Sequence, residues 1–248
     1  MTTPHITKKQ KEIPFNLYKF RCLNRTQIQK LLNNKDYRNT NVWLKDLVEK
    51  DYIVRIEDEQ KFPPKPSKYR ISINGIRLLR KDPNVEKAYL TKLYQEDRRS
   101  TQFQNISMLI ADTYLNLLEK NTDPSITFKF YTQADFPKDG SIREIHPTFA
   151  YIYESKHNIE NFICEVMEPD MPWGAVSGRI KRLVEFYAED EDESTNIIFI
   201  CPDARIYRSV GRYTRRLMRE QEYGNLKLYQ TTYDGIREGN LGERIEIK

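Results

Sequence analysis

The chain has no stretch of about 18 consecutive apolar residues, and without one a membrane-spanning helix is excluded. Its opening residues, MTTPHITKKQKEIPF, lack the apolar centre of a secretory signal. The expectation is a cytoplasmic protein with no membrane partner. Cysteine is scarce: Cys22, Cys164 and Cys201 lie far apart, and no Cys-x-x-Cys pair occurs. Such spacing suits neither a structural zinc site nor a disulfide framework, so each thiol reads as a small buried apolar side chain. Internal repeats and low-complexity tracts are missing too. The one dense acidic run, AEDEDEST (188–195), lacks the DxDxDG spacing of a calcium loop and reads as a solvated connection.

What the chain does hold is enough apolar material for a core. Of its 248 residues 38% are hydrophobic, including 16 Tyr and 11 Phe, which suits one large domain or two ordinary ones. The net charge of +5 conceals an asymmetry. Residues 1–100 carry 23 Lys and Arg against 12 Asp and Glu, while the rest carries 18 against 24. A basic first half suits contact with a polyanion; uneven solubilising charge is the plainer alternative.

The order of elements sharpens that reading. Residues 1–12 are polar and basic without a period, and read as a loose arm. From Ile13 onward, Phe15, Leu17, Tyr18, Phe20 and Leu23 predict a short first helix. Asn24 is placed to cap a second, RTQIQKLL, whose Ile28, Leu31 and Leu32 share a face. RNTNVWLKDLVEK predicts a third, with Thr40, Trp43, Leu44 and Leu47 inward. YIVRI (52–56) and KYRISI (68–73) read as strands around a proline-rich tip, and a short helix opens after Asn74-Gly75. Three helices followed by a hairpin is the order of a winged helix-turn-helix. There the third helix enters a major groove and the hairpin touches the DNA backbone. Arg38, Asn39, Asn41 and Lys45 lie off the inner stripe of the third helix, where they suit base edges. Lys61, Lys65, Lys68 and Arg70 fall on the hairpin, where they suit phosphates. Double-stranded DNA is the expected partner. A docking or dimerisation module with a solvated basic hairpin is the alternative.

The domain boundaries read as 13–82 for this module, a charged connecting helix over 83–103, and a larger domain over 104–248. The larger domain opens on an amphipathic helix carrying Ile106, Leu109, Ile110, Tyr114, Leu117 and Leu118. Strands follow at 126–131, 148–153 and 161–167, then a helix at 173–187 and an uninterrupted apolar strand at 196–202. A basic helix and two further strands, LKLYQTTY and RIEIK, complete the chain. The fold class is α+β or α/β, with a mixed sheet flanked by helices. Within the third strand Glu165 stands among Phe162, Ile163, Cys164 and Val166. Burying a carboxylate there is costly unless it is paired, hydrogen-bonded or on a metal. In the basic helix Arg205, Arg208, Arg212, Arg215, Arg216 and Arg219 offer either a second DNA contact or a solvated face.

This pairing of a winged helix (RTQIQKLL…NVWLKDLVEKDYIVR…PPKPSKYRISINGIRLL) with IHPTFAYIY…FICEVMEPDMPWGAVSGRIKRLVEFY resembles the replication-relaxation proteins of plasmids and other mobile elements. The resemblance covers about residues 14–80 and 100–210. It implies a restriction-endonuclease-like (PD-(D/E)xK) fold in the second half and a DNA-binding role in replication or mobilisation. Replication or transfer proteins would be further partners. It also implies a site where a Pro-Asp on one strand and a Glu-x-Asp or Glu-x-Lys on the next hold Mg²⁺ beside the scissile phosphate.

The chain departs from that pattern. Thr148 follows Pro147, and Met167 stands two residues after Glu165, on the same strand face. One carboxylate and one hydroxyl do not hold a hard dication tightly. The expectation is a domain without a cofactor, in which Glu165 pairs with Arg179, Lys181 or Arg182. The competing reading is a Mg²⁺-dependent nuclease with a rearranged site, its metal on Glu144, Glu165 and Asp170 and its catalysis on Glu165 and Lys181. A third is a transcription regulator or scaffold acting through protein contacts.

Overall fold

The computed structural model describes residues 4–57, 65–136, 145–188, 195–220, 226–240 and 243–245. The chain divides into two compact units, 1–115 and 116–248. The division falls within the helix at 101–120.

In the first unit, helix α1 (Lys8–Phe20) starts well before Ile13. Thr7 and Gln10 form a capping box: Thr7 Oγ1 accepts from the Gln10 amide, and Gln10 Oε1 accepts from the Thr7 amide. The loose arm expected over 1–12 is thus helical from Lys8, a correction the polar composition concealed. Strand β1 (Cys22–Asn24) leads into α2 (Arg25–Leu31), which Asn24 caps as expected, with Gln27 returning the bond. Then come α3 (Tyr37–Glu49), β2 (Ile53–Ile56), β3 (Lys68–Ile71) and α4 (Ile73–Leu79). The three strands form an antiparallel sheet in the order β1-β3-β2. Helix α3 buries Thr40, Leu44 and Leu47 as its periodicity predicts, while Trp43 is only half-buried.

The single connecting helix expected over 83–103 is instead two pieces, α5 (Lys87–Leu93) and a 3₁₀ turn at Glu96–Arg98. Both are pinned to the unit's core. Tyr89, Leu90 and Leu93 are buried, and Arg21 makes a buried ion pair with Glu96. Arg21 also donates to the Tyr89 hydroxyl at 3.1 Å, from a backbone position with φ of 70°. Helix α6 (Thr101–Lys120) follows.

Among the described residues the second unit forms a six-stranded mixed sheet flanked by helices. Its strands are β4 (Thr127–Thr132), β5 (Phe149–Glu154), β6 (Ile159–Val166), β7 (Thr195–Cys201), β8 (Lys227–Thr232) and β9 (Glu243–Arg244), in that spatial order. β4, β5 and β6 pair antiparallel, β6, β7 and β8 pair parallel, and β9 closes antiparallel. Parallel pairs need crossovers, and these are α7 (Trp173–Ala188) and α8 (Ala204–Glu220); a short α9 (Tyr233–Arg237) follows β8. Every residue of β7 is buried, as its unbroken apolar run predicts.

α7 and α8 cover one face of the sheet. Val176, Ile180, Leu183, Val184, Val210 and Leu217 pack on Ile163, Met167, Ile197 and Phe199. Each large apolar side chain so buried contributes about 1.5–3 kcal/mol. At Gly211 α8 comes so close to β8 that an added Cβ would meet Gln230 Oε1 at 2.7 Å. The opposite face of β4–β6 is aromatic. Phe130 stacks on Phe149 at 5.3 Å between centroids, and Tyr151 on Phe162 at 4.6 Å. All three cysteines are buried and free, and burial pushes the Cys22 and Cys201 thiols up to about 12.

Candidate nucleic-acid interface

The first unit opens a cleft of about 690 Å³ between α3 and the β2–β3 sheet. Asn41, Lys45, Val48 and Glu49 line it from α3, Arg55 from β2, and Lys65, Pro66, Ser67 and Tyr69 from the run into β3. Arg25 also lines it, and its backbone amide donates to the Ser67 carbonyl at 2.9 Å. Among the described residues that line it, four are cations and one is a carboxylate. The Lys45–Glu49 pair is long at 3.8 Å and exposed, so it takes little from that positive balance.

The expected interface residues sort by position. Asn41 and Lys45 line the cleft, and Arg38 is exposed one turn earlier on α3, beyond its lining. Asn39 is also exposed, but projects to another side of the helix. Lys65 lines the cleft, whereas Lys61 lies outside the described residues. Two expectations need correcting. Lys68, the first residue of β3, is only 9% exposed, so it does not present a free ammonium to solvent. Arg70 is half-buried and next to Tyr69; strand alternation therefore turns it to the face opposite the cleft. Sequence reasoning missed Arg25 and Arg55. Arg55 was legible as the polar position in the alternating run Ile53-Val54-Arg55-Ile56, and it pairs with Tyr69 across the sheet.

In the second unit the structure resolves the question Glu165 posed. Glu165 lies on the α7 side of β6 and is 3% exposed. Its Oε1 accepts from Arg179 Nη1 at 3.0 Å, and its Oε2 accepts from both the amide and the hydroxyl of Thr148 at 3.2 Å. Thr148 Oγ1 in turn accepts from the Val166 amide at 3.0 Å, which locks the hydroxyl between the two strands. Burial raises the Glu165 pKa above the ordinary carboxylate value, and the Arg179 charge and the Thr148 bonds partly offset that rise. Of the three pairing partners expected from sequence, Arg179 is the one used.

Of the other residues of the rearranged nuclease site, the described ones, Lys181 and Asp170, do not gather there. Lys181 is exposed and pairs with Glu185 at 3.5 Å on the outside of α7. Asp170 is exposed in the loop after β6, and Met167 is fully buried in the core. Glu144 lies outside the described residues. Glu168 approaches only the far side of the guanidinium, at 3.9 Å from Arg179 Nη2. Among the described residues no three His, Cys, Asp or Glu side chains are grouped to hold a metal. Among the described residues the donor set does not fit Mg²⁺: both oxygens of the one carboxylate there, Glu165, already accept from protein donors, and a guanidinium supplies the positive charge.

On α8, Arg205, Arg208, Arg212, Arg216 and Arg219 are exposed and Arg215 is half-buried. Arg208 turns its Nε back to the Ala204 carbonyl at 3.2 Å.

No family model and no curated protein matches the chain. Among solved structures it is similar to the restriction endonuclease FokI, at 11% identity and a TM-score of 0.34, over 94% of this chain and 43% of that one. FokI bound to DNA matches at 10% identity and a TM-score of 0.31, over 97% of this chain and 46% of that one. The chain thus spans less than half the length of that enzyme.

Proposed function

We propose that this chain is a duplex-DNA-binding protein whose first unit is a winged helix-turn-helix and whose second is a restriction-endonuclease-like domain that has lost its reaction. The cleft between α3 and the β2–β3 sheet carries the reading. Arg25, Lys45, Arg55 and Lys65 ring it, and Asn41 stands on the α3 face that a major groove would receive. Lys and Arg on the rim neutralise phosphates and set register; Asn41, with its paired donor and acceptor, suits an adenine edge. In the second unit, Arg179 occupies the charge position beside Glu165 that a catalytic dication would need. The motifs quoted from the sequence support kinship with replication-relaxation proteins, and with it a role in plasmid or mobile-element replication or mobilisation in which replication or transfer proteins would be partners.

Duplex affinity measured across a salt series tests the reading. Log K should fall linearly with log salt, with a slope of about −0.9 per phosphate neutralised. A flat response, or no binding, would instead favour a scaffold acting through protein contacts.

A further inference from the structure

The second unit carries a surface feature that neither its core nor Glu165 uses. Trp173, the first residue of α7, is 43% exposed. Its ring meets that of Tyr213 on α8 edge to face, with centroids 5.8 Å and planes 89° apart. Ser209, Arg212 and Arg216 complete the hollow around the two rings, which encloses about 430 Å³. The Arg216 guanidinium lies 5.2 Å from the Tyr213 ring centre, which orients it at the edge of that hollow. Its contact with Glu220, at 3.7 Å and well exposed, is weak.

This corner lies on a strongly cationic surface. At about 100° per residue, Arg205, Arg208, Ser209, Arg212, Arg216 and Arg219 fall within about a 100° arc of α8, opposite its buried Ile206, Val210, Thr214 and Leu217. Against the arginines the helix holds one acid, Glu220. A solvated face would account for the arginines alone. It does not account for an indole left in solvent at right angles to a second ring, among guanidinium groups.

We propose that the Trp173–Tyr213 corner binds an unpaired nucleotide of a single-stranded nucleic acid, with its base stacked on Trp173 and its flanking phosphates on Arg212 and Arg216. Chemistry selects this ligand. A ring face attracts a flat aromatic partner, and the adjacent guanidiniums require that partner to carry anions; a nucleotide has both. A duplex interior offers no free base face, because its bases are already stacked on one another. Arg205, Arg208 and Arg219, spread over about 21 Å of helix, would continue the contact along the strand. The site is separate from the cleft of the first unit and does not depend on it.

Fluorescence anisotropy on the full chain tests the proposal, with labelled oligothymidylate and a labelled duplex measured side by side. Trp173→Ala should weaken oligothymidylate binding by about tenfold or more and leave duplex affinity within about twofold. Trp173→Phe, which keeps a ring, should recover most of the loss. Lys45→Ala with Arg55→Ala should do the reverse, lowering duplex affinity alone, so the two sites fail separately. In a Trp43→Phe background, oligothymidylate should quench the fluorescence of the remaining Trp173, a readout that leaves the site intact. Wild-type oligothymidylate affinity in Trp173→Ala, equal loss on both ligands, or unquenched Trp173 would each overturn the proposal.

Discussion

Arg179 Nη1 donates to Glu165 Oε1 at 3.0 Å, reaching from α7 onto a carboxylate buried in the central strands. The guanidinium remains partly in solvent, with its side chain 36% exposed against 4% for Glu165. A buried charge is tolerated there because a cation and two Thr148 donors satisfy both of its oxygens. Helix and sheet are joined by the group that would otherwise invite a metal.

That pair sets a pH-dependent prediction. Burial raises the folded pKa of Glu165, so the folded state holds the proton more readily than the unfolded chain. The group therefore favours folding most in acid, and that contribution declines as pH rises through the folded pKa. Removing Arg179 raises the pKa further, because its positive charge does most to oppose the effect of burial. Arg179→Ala should cost about 1.5–3 kcal/mol at neutral pH, nearer the lower figure because Arg179 is partly exposed. The loss should shrink as pH is lowered and Glu165 takes up its proton. Urea denaturation at neutral and lowered pH reads this directly; equal losses would contradict the assignment. Glu165→Gln should flatten the pH dependence.

The cleft residues should separate by role. Lys45→Ala or Arg55→Ala should weaken binding to all duplexes alike and lower the salt slope by about 1 each. Asn41→Ala should instead relax preference at one base position, worth about 1–3 kcal/mol against the wrong base. Binding-site selection on randomised duplex, followed by titration of the preferred site, would separate the two effects. Lys68→Ala should change stability more than affinity, since that side chain is buried.

The Arg21–Glu96 pair ties the charged segment after α4 to the core of the first unit. Glu96→Ala leaves Arg21, 7% exposed, without its counter-charge, although Tyr89 still accepts from it. A loss of about 3–5 kcal/mol is expected in thermal or urea unfolding. A neutral result would mean the segment is a detachable connector, as its composition first suggested.

Much of this arrangement was written in local signals. The Asn24 cap, the Thr40-Leu44-Leu47 stripe and the apolar run of β7 each depend on neighbours in sequence, and the folded chain reproduces them. Features set by distant contacts were illegible. Lys68 looks like a hairpin phosphate ligand until β1 and β2 close on both sides of β3. Glu96 sits in a run so charged that it reads as solvated, yet a residue 75 positions earlier buries it. At Glu165 the sequence narrowed the partner to three cations of α7, and only the helix's rotation over the sheet selected Arg179 while turning Lys181 outward. Trp173 gave no signal at all, because its exposure depends on where α8 places Tyr213.

One gel tests the central claim that this chain binds duplex DNA and does not cut it. End-labelled duplex is incubated with wild-type protein in Mg²⁺, and separately in Mn²⁺, then resolved both native and denatured. The expected result is a retarded complex whose strands are full length in either metal. Cleaved strands with the wild type that are absent with Glu165→Ala would show that Arg179 does not close the site, and an unretarded duplex would remove the DNA-binding reading.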